Sequence, residues 1–244
     1  MTVAEESLRV PVTDVVLDAD VAVPDRPRGV VLFAHGSGSG RHSPRNRYVA
    51  AHLQAAGLAT VLADLLTPAE ERRDTVTREL RFDIGLLADR VTELIDWAVA
   101  ADWSPAGTPA REAADGTPAR EAADGTPARE AADGAPAIGL FGASTGAAAA
   151  LVAAARRPGV IRAVVSRGGR PDLACDVLPR VSQPTLLVVG GNDTVVIELN
   201  RQAVRLLAGE ARVEIVPGAS HLFEEKGALE EVARLACDWF LTRL

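Results

Sequence analysis

A serine lies in a short segment whose neighbours are all small. Residues 142–146 read Gly-Ala-Ser-Thr-Gly, a G-x-S-x-G pattern with Ser144 at its centre. The apolar run before it, Ala137–Gly142, predicts a strand, and the alanine-rich run Thr145–Arg157 predicts a helix. A serine on a sharp strand-to-helix turn exposes its hydroxyl, and small flanking residues let the chain pass closely. We predict that Ser144 is a nucleophile; the alternative is a glycine-rich turn with an incidental serine.

A serine hydroxyl is a poor nucleophile until a histidine accepts its proton and a carboxylate orients that histidine. His221 is the only histidine after Ser144, and it lies just after the predicted strand Arg212–Val216. This is the place and order that a catalytic base needs when the nucleophile comes first in the chain. We therefore predict that His221 is the base.

Two aspartates follow strands between the serine and the histidine. Asp193 comes after the apolar run Thr185–Gly190, and a Gly-Gly pair there allows a sharp turn. Asp172 comes after the preceding predicted strand. Asp193 is the preferred acid because the strand before it is the penultimate one, and Asp172 is kept as the alternative.

A glycine-rich loop follows an earlier strand and reads His-Gly-Ser-Gly-Ser-Gly from His35 to Gly40. A developing oxyanion needs two backbone N–H groups that already point at it. We expect these from Thr145, directly after the nucleophile, and from Ser37 in this loop. A phosphate cradle is the alternative, but the spacing is G-x-G-x-G, and no G-K-[ST] follows. His35 is then expected to be a structural residue of the loop.

Arginines lie close to the predicted strand ends, where open α/β sheets bind their ligands. Arg41 follows the glycine-rich loop, and Arg167 follows a strand. We consider both as substrate-binding residues, with solvated surface charge as the alternative. No His/Cys/Asp cluster has metal-ligand spacing, so we expect neither a metal nor another cofactor.

Strands and helices alternate along most of the chain, which predicts a mostly parallel central sheet with helices on both faces. Residues 8–23 alternate less regularly and predict one or two antiparallel edge strands. Only 18 residues, 167–184, separate two predicted strands where a lid is often inserted, so we expect no large lid. The other predicted strands are Gly29–Ala34, Leu58–Asp64 and Ile161–Ser166, and the other predicted helices are Arg47–Ala56, Asp83–Ala101, Glu198–Leu207 and Ala228–Arg243.

One segment breaks this pattern. The sequence GTPAREAAD occurs three times in tandem over residues 107–133, and a degraded fourth copy begins after it. Nine residues with alanine as their only apolar type cannot build a packed repeat. We interpret residues 107–136 as a low-complexity insertion in a helix-to-strand loop of a single domain, 1–244.

The overall composition excludes several classes of protein. A net charge of -7 argues against a nucleic-acid partner, which usually requires a basic surface. Two cysteines exclude a disulfide framework. Neither an apolar leader nor a run of eighteen apolar residues is present, so we expect a cytoplasmic protein that does not bind membranes. The oligomeric state stays open.

The motifs HGSGSG, GASTG, GGND and GASH, in this order and on these elements, resemble those of the α/β-hydrolase superfamily. They are most similar to its dienelactone-hydrolase-like branch of small bacterial enzymes, from about Arg28 to the C-terminus. Dienelactone hydrolase proper uses a cysteine nucleophile, whereas this chain has Ser144. The resemblance therefore implies the α/β-hydrolase fold and favours a general esterase-type activity.

Two functional hypotheses follow. The first is a serine hydrolase that cleaves a small ester, thioester or lactone through an acyl-enzyme intermediate. The second is a catalytically idle protein of the same fold that serves as a binding or assembly partner. A full set of nucleophile, base and acid favours the first, because an idle relative would often have lost one member.

Overall fold

The structure is a computed structural model and describes residues 2–103 and 136–244. The predicted repeat insertion, 107–136, therefore lies outside the described residues except for Pro136.

Eight strands of the described residues form one sheet in the order β1-β2-β4-β3-β5-β6-β7-β8. β2 pairs antiparallel with β1 and with β4, and every other neighbouring pair is parallel. This confirms the mostly parallel sheet and the antiparallel edge. The strands are β1 (Val3–Pro11), β2 (Val16–Pro24), β3 (Val30–Ala34), β4 (Ala59–Ala63), β5 (Ile138–Ala143), β6 (Ile161–Arg167), β7 (Thr185–Gly190) and β8 (Ala211–Val216).

The central strands are apolar along their whole length because helices cover both faces of the sheet. In β3, Val30 and Leu32 belong to one apolar core, and Val31 and Phe33 belong to the other. α3 and α4 cover the first core, and α1 and α6 cover the second. The α-helices of the described residues are α1 (Pro44–Ala55), α2 (Pro68–Thr77), α3 (Ile84–Ala100), α4 (Thr145–Arg156), α5 (Thr194–Leu206) and α6 (Ala228–Leu241).

Sequence reasoning missed α2 and two 3₁₀ segments, Leu80–Phe82 and Pro171–Arg180. α2 reads PAEERRDTVT and buries only Asp74, so it has no apolar period to detect. It did carry one usable signal. Thr67 and Glu70 form a capping box at its start, a pairing that marks helix N-termini in sequences.

None of the helices in residues 2–103 and 136–244 combines the length and the apolar character that crossing a membrane requires.

Candidate active site

Ser144 sits on a strained turn between β5 and α4. Its φ of 50° and ψ of -119° are outside the conformations that residues with a side chain normally adopt. The flanking positions have no room for a side chain and therefore require glycine. A Cβ on Gly142 would lie 2.4 Å from the Ala147 Cα, and one on Gly146 would lie 2.2 Å from the Ala34 carbonyl oxygen. The tight packing of α4 on the sheet therefore holds the strained turn in place.

Backbone hydrogen bonds hold Ser144 from both sides. Its N–H donates to the Arg167 carbonyl oxygen at 3.2 Å, across to the end of β6. Its own carbonyl oxygen accepts from the Ala147 N–H at 3.1 Å and from the Arg170 N–H at 3.2 Å. The side chain is half-buried, so the hydroxyl group lies at the C-terminal edge of the sheet with a fixed backbone beneath it.

His221 and Asp193 are in direct contact. The His221 Nδ1 lies 2.6 Å from the Asp193 Oδ2. Asp193 follows β7 at the start of α5, and His221 lies between β8 and α6. Gly190 lets the two loops approach, because a Cβ there would lie 2.4 Å from the Ser220 carbonyl oxygen. With Nδ1 bound to the carboxylate, Nε2 is the imidazole nitrogen that is left to accept a proton.

The histidine and the serine lie against the same turn, at Arg167 and Gly168. Gly168 has a φ of +52°, and a Cβ on it would lie 3.4 Å from the His221 Cε1. Ser144 is bonded to the preceding carbonyl group, that of Arg167. The structure therefore brings Ser144, Asp193 and His221 together around the end of β6.

Asp172, the alternative acid, has a different partner. Its two carboxylate oxygens accept from the Arg170 Nε at 2.8 Å and from the Arg170 Nη2 at 2.7 Å. This bidentate pair satisfies Asp172 within its own segment. Of the two aspartates, Asp193 is the one that the structure places on His221.

The two residues expected to stabilise an oxyanion are adjacent. Thr145 is the first residue of α4, where a backbone N–H has no partner within the helix. The Ser37 N–H, however, donates to the Thr145 side-chain Oγ1 at 2.9 Å. An oxyanion would therefore share the Ser37 amide with this hydroxyl group or displace it.

His35 fixes the glycine-rich loop from below. It is buried, its Nε2 accepts from the Leu65 N–H at 2.9 Å, and its Nδ1 lies 3.1 Å from the Gly36 carbonyl oxygen. An N–H can only donate, so Nε2 carries no proton and the ring is neutral with its hydrogen on Nδ1. Burial lowers the pKa of His35 and keeps it in this state. His35 thus ties the loop to the end of β4.

The two arginines considered for substrate binding differ in their surroundings. Arg41 forms ion pairs with Asp64, with Asp20 at 3.5 Å and with Asp18 at 3.7 Å, so carboxylates already surround its charge. Arg167 is only 8% exposed, and its Nη1 is buried without a hydrogen-bond partner in the described parts of the chain. Burial lowers the pKa of Arg167 to about 10, and the nearby charge of Arg45 contributes.

A cavity of about 180 Å³ lies beside the glycine-rich loop and is closed by the segment that contains α2. The buried carboxylate of Asp74 accepts from the Arg81 Nε at 2.5 Å and from the Leu80 N–H at 2.8 Å. The Asp74–Arg81 ion pair holds Arg81 against the glycine-rich loop. A Cβ on Gly38 would lie 3.6 Å from the Arg81 Nη1. Sequence reasoning did not identify Asp74 or Arg81, because their pairing depends on a helix that was itself missed.

Comparison with known proteins agrees with this architecture. Residues 17–242 match the model of the Dienelactone hydrolase family. The chain belongs to this family. A solved structure of dienelactone hydrolase from Anabaena variabilis is 49% identical, with a TM-score of 0.85 and coverage of 99% of each chain. Est1E from Butyrivibrio proteoclasticus is 14% identical with a TM-score of 0.71, covers 97% of this chain and 98% of its own, and shows a similarity of fold alone.

The curated relatives carry a different name. Proteins from two strains of Mycobacterium tuberculosis, named as phosphoribosyl transferases, are 49% identical over 240 residues. The match covers 98% of this chain and 47% of theirs, so the chain spans about half the length of these relatives. Family and fold are therefore established: the chain has the α/β-hydrolase fold of the Dienelactone hydrolase family.

Proposed function

We propose that the chain is a serine hydrolase that cleaves a small ester, thioester or lactone through an acyl-enzyme on Ser144. The observation that carries this proposal is the pairing of His221 with Asp193 at 2.6 Å, beside the turn that anchors the strained serine. Family membership adds support for hydrolysis but leaves the identity of the nucleophile and of the substrate open.

In the proposed reaction, the His221 Nε2 takes the hydroxyl proton of Ser144 while the oxygen attacks the substrate carbonyl carbon. Asp193 holds the imidazole through Nδ1–H and stabilises the imidazolium that forms. The leaving group takes the proton from Nε2 as its bond to carbon breaks. Water then attacks the acyl carbon while His221 takes its proton, and His221 returns this proton to the Ser144 oxygen as the bond between that oxygen and the acyl carbon breaks.

The negative oxygen of each tetrahedral intermediate would lie between the backbone amides of Thr145 and Ser37. Removing one such donor typically costs about 3 kcal/mol of transition-state stabilisation. The Ser37 N–H already donates to the Thr145 hydroxyl at 2.9 Å, so the oxyanion would share this N–H with the hydroxyl group or displace it.

A catalytically idle protein that binds a partner is the competing function, and a fluorophosphonate distinguishes the two. We expect the probe to label wild type and not Ser144→Ala, and we expect this variant to lose esterase turnover while its thermal unfolding stays nearly unchanged. Ser7→Ala is a matched control, because the Ser7 hydroxyl bonds Asp20 on the edge strands, away from the site. Full esterase activity in Ser144→Ala would refute the proposed nucleophile.

A further inference from the structure

We propose that Arg167, Arg45 and the start of α1 form a binding site for a phosphate group next to Ser144. The link between this site and catalysis rests on the proposed hydrolase function, whereas binding of phosphate itself does not. The site differs from the surface around Arg41, whose charge is already balanced by carboxylates.

Arg167 holds a buried charge for which the described residues provide no partner. It is the last residue of β6, and it lies on the same face as Ala163 and Val165, which pack in the core beneath α1 and α6. The guanidinium group is buried, and its Nη1 has no hydrogen-bond partner among residues 2–103 and 136–244. A buried, unpaired cation destabilises a fold, so its presence points to a ligand that pairs with it.

Arg45 brings a second positive charge to the same place. It is the second residue of α1, and its Nε is also buried without a partner in the described part of the chain. Its Nη1 lies 3.5 Å from the exposed carboxylate of Glu224, three residues after His221. Helix N-termini carry partial positive charge, and α1 adds its own to that of the two arginines.

A cleft connects the glycine-rich loop with Arg45 at the start of α1. This cleft of about 530 Å³ is lined by Ser37 at one point and by Arg45 at another. The carboxylates of Asp18, Asp64 and Glu71 also line this cleft; Asp18 and Asp64 are paired with Arg41, and Glu71 is exposed to solvent. An anionic group in this cleft can therefore bind at Arg45, whose charge also acts on Arg167, while the rest of the molecule extends towards Ser37.

The charge of the site favours phosphate over carboxylate. Two guanidiniums and a helix N-terminus match a group with close to two negative charges at neutral pH, and a carboxylate carries one. Arginine also binds phosphate oxygens through two parallel N–H donors. A phosphate is thus the ligand that neutralises both arginines at once.

The test measures thermal unfolding with sodium phosphate against sodium chloride at equal ionic strength. Phosphate is expected to raise the unfolding temperature of wild type, of Ser144→Ala and of the control Arg47→Gln. Arg47 lies on the same helix but pairs with Asp20 at 2.8 Å on the surface. In Arg45→Gln and Arg167→Met the affinity for phosphate should fall about tenfold or more, as expected when a charge-assisted hydrogen bond is lost.

Arg167→Met gives a second, independent readout. In phosphate-free buffer this variant should unfold at the same temperature as wild type or higher, because the buried unpaired charge is gone. A lower unfolding temperature would show that the guanidinium supports the fold, and would overturn the proposal. Equal phosphate protection in wild type and Arg167→Met, or acetate protecting as strongly as phosphate, would overturn it too.

Inhibition of the hydrolysis of a neutral short-chain ester distinguishes the two sources of the phosphate group. Competitive inhibition by inorganic phosphate supports a site that holds a phosphate of the substrate, and unfolding protection without competition supports a site for a free phosphate ligand. Phosphate protection retained in a protein that no fluorophosphonate labels would leave this site standing and refute the proposed hydrolase function.

Discussion

At the scale of single residues, the site depends on which carboxylate orients His221. Asp193 contacts the Nδ1 of the imidazole at 2.6 Å, whereas Asp172 accepts hydrogen bonds from the Nε and Nη2 of Arg170. A carboxylate on Nδ1 selects the tautomer whose Nε2 can accept the proton of Ser144. In the proposed mechanism, the contact between Asp193 and His221 therefore determines whether the serine can be activated.

Asp193→Asn tests this contact. We expect kcat to fall by about 10⁴ because an asparagine N–H would favour the wrong imidazole tautomer. Steady-state hydrolysis of a short-chain ester measures the loss, and labelling with a slow phosphonate shows that Ser144 is still accessible. Asp172→Asn is the matched control and should stay within about tenfold of wild type. The reverse ranking would transfer the role of acid to Asp172.

At the scale of elements, the packing of α4 on β3 sets the position of Ser144, the proposed nucleophile. A Cβ on Gly146 would lie 2.2 Å from the Ala34 carbonyl oxygen and 2.4 Å from that of His35. The same glycine therefore spaces α4 from the loop that carries Ser37. Helix, strand and loop are fixed relative to one another at this point.

Gly146→Ala should therefore destabilise the protein by about 1–3 kcal/mol, because the new methyl group forces the backbone apart. Urea unfolding measures this change. Gly159→Ala is the matched control, since a Cβ on Gly159 would meet nothing within 4 Å. We expect it to alter the free energy of unfolding by less than about 0.5 kcal/mol. Equal effects of the two substitutions would contradict tight packing at the elbow.

The segment with α2 is held to α3 by an ion pair. Arg90, which is almost fully buried, donates to both carboxylate oxygens of Glu70, at 2.7 and 2.8 Å, and to the Leu65 carbonyl oxygen at 2.7 Å. The Arg90 hydrogen bonds lower the pKa of Glu70 to about 2, against an ordinary 4.5. A carboxylate with a lowered pKa contributes stability above pH 4.5, and this contribution disappears as the pH falls towards 2.

Glu70→Gln should reduce the free energy of unfolding at pH 7 by about 1–2 kcal/mol, with partial exposure of Glu70 limiting the effect. The difference from wild type should shrink as the pH falls from 4.5 towards 2. Urea midpoints across this range measure it. Glu79→Gln, on an exposed pair with Arg73, is the control and should show little change at any pH. A difference that stays constant with pH would rule out the ion pair as its cause.

At the scale of the whole molecule, the chain resumes after the repeats at the end of β5 that lies away from Ser144. The described residues stop at Trp103 and resume at Pro136, just before β5 begins. The Ala137 carbonyl oxygen accepts from the Val30 N–H at the start of β3, so this is the N-terminal edge of the parallel strands. Ser144 lies at the opposite end of β5.

Deletion of two GTPAREAAD copies, residues 107–124, should leave kcat unchanged and alter the free energy of unfolding by less than about 1 kcal/mol. The reason is that loop-closure entropy changes slowly with length, by about 0.6 kcal/mol for each doubling. Ester hydrolysis and urea unfolding of the shortened chain measure both quantities. A large loss in either would mean that the segment packs on the domain or mediates assembly.

The sequence by itself determined the fold and the order of the chemical groups. Strand and helix periods depend on neighbouring residues, so β3, β5, β7 and the helices α1, α3 and α4 could be predicted to within a few residues. The serine turn was predictable for the same reason, because its constraints lie within five consecutive residues. α2 was missed because its polar sequence has no apolar periodicity, although its capping box could be recognised in the sequence.

Only the tertiary structure decided which distant groups meet. It placed Asp193 rather than Asp172 on His221, bonded the Ser37 amide to the Thr145 hydroxyl, and surrounded Arg41 with carboxylates, whereas Arg167 has no partner among the described residues. Each of these contacts joins segments far apart in the chain. Such contacts depend on loop paths and on the burial of charge, which no local pattern encodes.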